Sequence, residues 1–420
     1  MQHATTPPAL LRGLACYLVG GAVRDLLLGR PVVDRDWCVV GATADELRAR
    51  RLKPVGHDFT VFLVPGTGDQ VALARRVAAD GGFASDPAIA IEEDLAHRDF
   101  RLNAMALPAD AGPDAVIDPA GGRQDLAERR IRHVGASFVA DPLRVLRGAR
   151  LAAQLPDFAV APETLDLFRA LAIGGALDGL PPERVWRELE KALAAARPAR
   201  FVEVLRMAGA LRAVLPEIDA LFGVPQRRDH HPEVDAGVHT LLVLDQATGL
   251  TADPVLRFAA LVHDLGKGLT PCSRWPRHPG HEEAGVPVVE ALVRRLHGPN
   301  RFREIAAIVT RWHGVVHQGA KLRPGTVLGV LEAAGALQHP ERLEELLTVC
   351  LADKRGRLGF EAAPYPAAGL WRRALAEARG IAAADLLAAG VAPSPRLGEL
   401  LFQRRAMAIG RALRTAAAHD

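Results

Sequence analysis

Four short runs in the first third of the chain are apolar or alternating in the way a pleated strand requires: Ala15–Val19, Trp37–Val40, Phe59–Val64 and Asn103–Leu107. Successive strand side chains face opposite sides of a sheet, so such runs predict strands buried on one or both faces. After Asp141 the period changes. Apolar residues recur three and four apart, as in Val185, Leu189 and Ala192 or Phe201, Leu205 and Ala208, and that spacing gathers one stripe along a helix. The pattern therefore divides the chain into a mixed α/β part before Asp141 and an almost wholly helical part after it. Pro182 stands where a first-turn proline belongs, opening a helix that carries Arg184, Trp186 and Glu188. Clustered prolines at Pro225–Pro232 and Pro364–Pro366 predict boundaries near residues 225 and 362.

A chain of 420 residues exceeds one ordinary core, so two to four domains are expected. With 49% hydrophobic and 24% charged residues, it has no run approaching the ~20 apolar residues of a membrane span. The apolar stretch at Leu14–Val23 is broken by Gly20 and Gly21 and runs into Arg24 and Asp25, which suits a buried strand entering a turn better than a leader peptide. Cys16, Cys38, Cys272 and Cys350 are far apart, so neither a zinc knuckle nor a disulfide framework is indicated, and a reducing cytoplasm is expected. The net charge of +3 permits a nucleic-acid partner without demanding one.

Candidate chemistry begins at Leu18-Val-Gly-Gly-Ala-Val-Arg-Asp25, a strand, a double glycine and a helix start. Gly20 and Gly21 allow close backbone approach, the helix start offers N–H groups to a phosphate, and Arg24 lies in the first turn. Taken alone, a glycine pair after a strand is more often simply a tight turn. Soon after comes Val33-Asp-Arg-Asp-Trp37. On a strand Asp34 and Asp36 would share one face and Arg35 would point away. Adjacent carboxylates repel unless a cation lies between them, and Mg²⁺ is held by one or two carboxylates plus substrate phosphates. A solvated turn of alternating charges is the alternative for this segment by itself.

Together, Gly-Gly-x-x-Arg-Asp followed by Asp-x-Asp resembles the nucleotidyltransferase superfamily that includes DNA polymerase β, in its class II tRNA nucleotidyltransferase and poly(A) polymerase branch. Glu93-Asp-Leu-Ala-His-Arg-Asp-Phe-Arg-Leu-Asn-Ala-Met105 is similar to that branch's Arg-Arg-Asp-x-x-x-Asn-Ala motif, with His97 replacing the first Arg. The resemblance implies that Asp34 and Asp36 are catalytic Mg²⁺ ligands, that Gly21, Arg24 and Arg98 meet the nucleotide, and that Asp99 and Asn103 order the sugar pocket. Arg144, Arg147 and Arg150 are spaced by three on a predicted helix, which as spacing alone could be a solvated basic face. By resemblance, Asp141 and Arg144 read the Watson–Crick edge of the incoming base, Arg147 and Arg150 contact the nucleotide, and Glu183 and Arg184 support the pocket. The stretch from Arg75 to Asp86 is shorter and less basic than the family's flexible loop, which puts the switch from CTP to ATP in question.

A second constellation lies downstream. His263-Asp264-Leu-Gly-Lys267 follows the apolar run Val255–Val262, with His239 a helix length earlier, His281 and His313 later, and Asp353 in Leu351-Ala-Asp-Lys-Arg355. Imidazole and carboxylate suit divalent ions, and the Lys267 ammonium could steady a phosphate. A single helical histidine is usually structural, but this joint pattern resembles the HD phosphohydrolase superfamily. The resemblance implies one metal on His239, His263, Asp264 and Asp353, with His281 and His313 completing a second position. His230, His231, His278 and His317 are expected to be satisfied locally or near the mouth.

The resemblance continues through Leu215–Pro225 and His231–His239 and so covers nearly the whole chain, in the layout of bacterial class II CCA-adding enzymes with an HD domain. It implies an α+β fold: a small mixed-sheet nucleotidyltransferase head of the polymerase β superfamily, then an all-α neck, an HD domain and a helical tail. The expected limits are 1–140, 141–225, 226–362 and 363–420. Implied partners are the tRNA acceptor end, CTP and ATP, with no membrane. Implied cofactors are Mg²⁺ for nucleotidyl transfer and a divalent transition metal, Ni²⁺ being one candidate, for the HD site. The implied HD activities are 2′,3′-cyclic phosphodiesterase, 2′-nucleotidase and phosphatase. Poly(A) polymerase and a CC- or A-adding enzyme are the rival readings, and monomer and homodimer both stay open.

Overall fold

In the computed structural model, which describes residues 5–55, 61–77, 82–393 and 395–417, the apolar run Ala15–Val19 forms strand β1. The other strands of the first unit are β2 (Asp36–Val40), β3 (Lys53–Val55), β4 (Val61–Leu63), β5 (Gln70–Leu73), β6 (Arg75–Val77), β7 (Phe83–Ser85) and β8 (Ala106–Pro108). Six of them make one sheet in the order β3-β4-β5-β2-β1-β8. The β2–β5 pair is parallel and the rest are antiparallel, so the sheet is mixed as expected. Leu18, Trp37, Val39, Phe62, Val71 and Leu107 build its core. Trp37 can be fully buried because its indole N–H donates to Asp69 at 3.1 Å.

Two strand expectations shift. Asp34 and Asp36 do not share a strand face, since β2 begins at Asp36, paired with Val19, and Asp34 lies in an exposed bend before it. The pairing stops there because β1 ends where Gly20, at φ 71°, turns the chain into helix α1 (Gly21–Leu27). Arg35 does point away, onto Asp69 at 2.8 Å. The run at Asn103–Leu107 starts as a 3-10 turn over Arg101–Asn103, and β8 begins only at Ala106. Of the expected strand Phe59–Val64, Phe59 and Thr60 lie outside the described residues, as do residues 78–81 of the short loop between β6 and β7.

Helices α2 (Ile91–Ala96) and α3 (Arg144–Gln154) complete the part of this unit that matters for chemistry. Gly148 lets α3 lie directly on an aromatic cluster, since a Cβ there would come within 2.5 Å of Phe168 and 2.8 Å of Phe100. Phe138 joins those two rings, stacked on Phe168 and edge-on to Phe100.

The described chain forms two compact units, one extending through Leu180 and including Met207–Ala210, the other holding Pro181–Arg206 and the chain from Leu211 onward. The segment expected as a neck, 141–225, is thus shared between them. The second unit is helical: α4 (Pro182–Leu193), α5 (Ala236–Leu250), α6 (Pro254–Val262), α7 (His281–Arg295), α8 (Asn300–Val316) and α9 (Glu341–Arg355), with further helices at Pro366–Arg379 and Pro395–Ala417. Every residue of α6 from Val255 to Val262 is buried, including Arg257. That guanidinium donates to the carbonyls of Leu193 and Ala195 beyond α4 and of Thr248 and Thr251 at the end of α5, so it satisfies two helix C-termini at once. Among the described residues no helix is long and apolar enough to cross a membrane.

Candidate functional site

In the first unit Asp36, Arg98, Arg24 and Asn103 gather around the turn between β1 and α1. A Cβ built on Gly20 would lie 3.4 Å from Arg98 Nη1 and 3.8 Å from Asp36 Oδ2, so a side chain there would fill the space shared by a guanidinium and a carboxylate. Arg98 is aimed by Asp94, a buried residue on α2 whose Oδ2 accepts Nε at 3.0 Å and Nη2 at 2.9 Å. The other oxygen of Asp94 accepts the backbone N–H of Arg75 at the start of β6. Burial would lower the Arg98 pKa, but Asp94 overcomes it and raises the value.

Arg24 is buried rather than projecting. It forms a two-pronged pair with Asp25, each bond 2.9 Å, and donates to Asn103 Oδ1 at 2.9 Å, so it fixes Asn103 beside the turn. Asp99 accepts from Arg147 Nε at 2.7 Å and from the Phe100 N–H at 2.9 Å. Burial would raise the Asp99 carboxyl, but Arg147 holds it below its ordinary value. Asp141 accepts the Leu143 N–H at 3.2 Å just before α3. The three arginines of α3 are not one exposed stripe. Arg144 is buried and donates to the carbonyls of Ser137 at 2.9 Å and His97 at 2.8 Å, whereas Arg147 is half-buried on Asp99 and Arg150 reaches Gln154. Glu183, at the exposed start of α4, pairs with His297 at 2.5 Å.

Of the two expected carboxylates, Asp36 stands beside the glycine turn, while Asp34 lies in the exposed bend two residues before it; carboxylate oxygen is the donor a hard divalent cation takes.

In the second unit α5, α6, α7, α8 and α9 deliver His239, His263, Asp264, His281, His313 and Asp353 to one buried cluster. His239 Nε2 is 3.2 Å from Asp353 Oδ1 and 3.8 Å from Asp264 Oδ2. The Asp264 carboxylate also faces His263 at 3.2 Å, His281 at 3.2 Å and His313 at 3.5 Å. Among the described residues four sets have their donor atoms within 4.8 Å of one another: His239, His263 and Asp264; His263, His313 and Asp353; Asp264, His281 and His313; and, behind His239, His231, Glu233 and His239. The fit to metal is read from the far side of each ring. The Nδ1–H groups donate to protein oxygens: His263 to Ala260 at 2.8 Å, His281 to His278 at 2.8 Å, His313 to Val309 at 3.1 Å and His239 to Gly356 at 3.2 Å. This leaves the Nε2 lone pairs turned inward, the tautomer a metal needs. His263 Nε2, His281 Nε2 and Asp264 Oδ1 are buried without a hydrogen-bond partner, which such an ion would supply.

The cluster is held tightly from behind. Gly266 sits so close to α7 that a Cβ would lie 2.0 Å from the His281 carbonyl. Lys267 Nζ contacts Asp264 Oδ2 at 2.5 Å and Gln226 Oε1 at 2.6 Å, so the ammonium is buried on the Asp264 carboxylate. Burial would raise the Asp264 carboxyl, but His263 and Lys267 together hold it well below the usual range.

His317, expected to be satisfied locally or near the mouth, and two residues not singled out from the sequence, Glu233 and Gln226, also belong here. His317 Nε2 lies 2.6 Å from Asp353 Oδ2, with Tyr365 Oη 3.1 Å from its other nitrogen. Glu233 Oε1 sits 2.9 Å from His239 Nδ1 and 3.1 Å from His231 Nδ1. Gln226 accepts from Lys267 behind the cluster. The spacing of four between His313 and His317 on α8 was the available signal, since it places both on one face. His230 and His278 meet the local expectation, His230 near Asp229 and His278 on the Pro225 carbonyl.

Comparison with known proteins follows the same division. Residues 16–132 match the Poly A polymerase head domain family, residues 157–222 the family described as a probable RNA and SrmB-binding site of polymerase A, and residues 237–358 the HD domain family. The chain is 50% identical over 405 residues to a multifunctional CCA protein of Nitrosococcus oceani, covering 95% of this chain and 98% of that one. It is 49% identical over 401 residues to the multifunctional CCA protein of Halorhodospira halophila, covering 94% and 96%. In fold it is similar to the Bacillus stearothermophilus CCA-adding enzyme solved with CTP, with a TM-score of 0.65 at 24% identity over 96% of this chain and 90% of that one.

Proposed function

The chain belongs to the multifunctional CCA protein family, and from that premise we propose that it adds and repairs the 3′-terminal CCA of tRNA, using CTP and ATP and releasing pyrophosphate. It is a CCA tRNA nucleotidyltransferase with a metal-dependent phosphohydrolase domain. The observation that carries the transfer chemistry is the convergence of Asp36 and Arg98 on the space in front of Gly20. Mg²⁺ held by Asp34 and Asp36 would lower the charge cost of a 3′ hydroxyl attacking the α-phosphate and of the departing pyrophosphate. Arg98, its Nε and Nη2 occupied by Asp94, directs Nη1 toward the triphosphate. Gly21 at the start of α1 leaves backbone N–H groups open to phosphate oxygens. Arg24 holds Asn103, and Arg147 holds Asp99, at the sugar.

Asp141 and Arg144 read the base, with Arg147 and Arg150 as further nucleotide contacts. Two backbone carbonyls fix the Arg144 guanidinium in advance, which supports recognition by a rigid edge rather than by a flexible side chain. Protein side chains then stand in for a template, which accounts for a defined sequence made without one.

In the second unit the reading is 2′,3′-cyclic phosphodiesterase, 2′-nucleotidase and phosphatase activity on a transition metal such as Ni²⁺, bound by His239, His263, Asp264 and Asp353, with His281 and His313 available to a second ion. The chemistry such an ion would supply when bound by these residues is the activation of water at neutral pH. The inward Nε2 atoms and orphaned Asp264 oxygen support this assignment. A cytoplasmic setting fits the buried free thiols Cys16, Cys38 and Cys350.

Paired variants test the division of labour. Asp264→Ala is expected to abolish metal-dependent phosphodiester hydrolysis and spare CTP incorporation into tRNA, and Asp36→Ala to do the reverse. Loss of both activities in either folded variant would overturn the assignment of separate sites.

A further inference from the structure

Lys267 is the cation the sequence offers for a substrate phosphate in the HD site, but its ammonium is buried between Asp264 and Gln226. A second cation is the more exposed of the two, Arg357 at 17% against Lys267 at 7%. Arg357 follows the C-terminus of α9 and folds back on Asp353, four residues earlier, with Nη2 3.5 Å from Oδ1. Its side chain is 17% exposed against 4% for Asp353, so it keeps some solvent access where the carboxylate keeps almost none.

Gly356 makes this placement possible. A Cβ there would lie 2.5 Å from Val243 Cγ2 and 2.7 Å from the Val243 backbone nitrogen. Only a glycine lets the end of α9 press against α5, where the Gly356 carbonyl receives His239 Nδ1 at 3.2 Å. The same close approach aligns a metal ligand and sets the direction of Arg357.

The second observation is an unsatisfied donor. Arg357 Nε is buried and has no hydrogen-bond partner, and its bond to Asp353 is long. A guanidinium presents its donors as a planar fork matched to two oxygens of one phosphate. We propose that Arg357 is the phosphate-binding residue of the HD site, receiving a non-bridging oxygen of a phosphomonoester or phosphodiester whose other oxygen faces the metal cluster. This rests on the phosphohydrolase reading of the second unit. Lys267 then serves the Asp264 carboxylate instead of the substrate.

The test compares full-length wild type, Arg357→Gln and Arg357→Lys, each loaded with Mn²⁺. Metal content is measured by mass spectrometry, orthophosphate binding by calorimetry, and hydrolysis with bis(p-nitrophenyl) phosphate. The expected result for Arg357→Gln is unchanged metal content, about tenfold weaker orthophosphate binding and a KM raised by a similar factor, with kcat changed less. Partial recovery is expected in Arg357→Lys. Orthophosphate affinity equal to wild type, or loss of metal in Arg357→Gln, would overturn the proposal by making Arg357 a partner of Asp353 alone. A metal-loaded wild type that binds orthophosphate yet hydrolyses nothing would overturn the phosphohydrolase reading while leaving the binding assignment in place.

Discussion

Asp264→Asn probes the most heavily connected residue of the HD cluster without changing its shape. Asp264 is 1% exposed and pairs with Lys267 Nζ at 2.5 Å. Neutralising it leaves a buried ammonium facing the neutral Gln226 Oε1 at 2.6 Å. Breaking a buried pair by removing one partner costs about 3–5 kcal/mol, because the surviving charge stays desolvated. For a unit of this size each 1 kcal/mol shifts the midpoint by roughly 2–4 °C, so the expected loss is on the order of 6–20 °C. The measurement is thermal unfolding of the second unit by calorimetry in EDTA, so that lost metal binding does not add to the shift. The double variant Asp264→Asn, Lys267→Met removes both charges and is expected to regain much of the loss. A single variant within 1 °C of wild type, or a double variant less stable than the single, would refute the view that Lys267 is there to neutralise Asp264.

Two further outcomes follow from the geometry. Gly266→Ala would place a Cβ 2.0 Å from the His281 carbonyl and is expected to lower the midpoint sharply, while Gly249→Ala, with nothing within 4 Å, is expected to change it little; both are read by calorimetry. Asp99 has a folded-state pKa below its unfolded one of about 3.9, so its contribution is complete above that value and is lost as pH falls through the folded value. The midpoint difference between wild type and Asp99→Asn should therefore hold steady from pH 8 to pH 5 and shrink below about pH 4; a difference that grows on acidification would contradict the Asp99–Arg147 assignment.

The legible parts of the molecule were those where periodicity and chemistry coincide. Continuous apolar runs gave β1 and β2, and the apolar stretch before His263 gave α6, because a fully buried element has few alternatives to a continuous apolar sequence. The position of Asp34 was not legible, since strand pairing stops where the neighbouring strand turns at Gly20, and pairing is a long-range property. The arginines show the same limit. Spacing on α3 revealed a possible basic face, but whether Arg144 is buried on the Ser137 and His97 carbonyls depends on how α3 packs on Phe100 and Phe168. The proposed HD ligands were visible as residue types, whereas the pairing of Lys267 with Asp264 and the arrival of Glu233 behind His239 are facts of three-dimensional neighbourhood. Gly356 is the clearest case, because nothing in Lys354-Arg-Gly-Arg357 announces that Val243 will lie against it.

The central claim is tested most directly by sequencing the 3′ ends of a tRNA that stops at the discriminator base, after incubation with the purified protein, Mg²⁺ and CTP, ATP or both. The account predicts CC with CTP alone and CCA with both. Arrest at CC with both nucleotides would make it a CC-adding enzyme, and a homopolymer tail from ATP alone would contradict the account in favour of poly(A) polymerase.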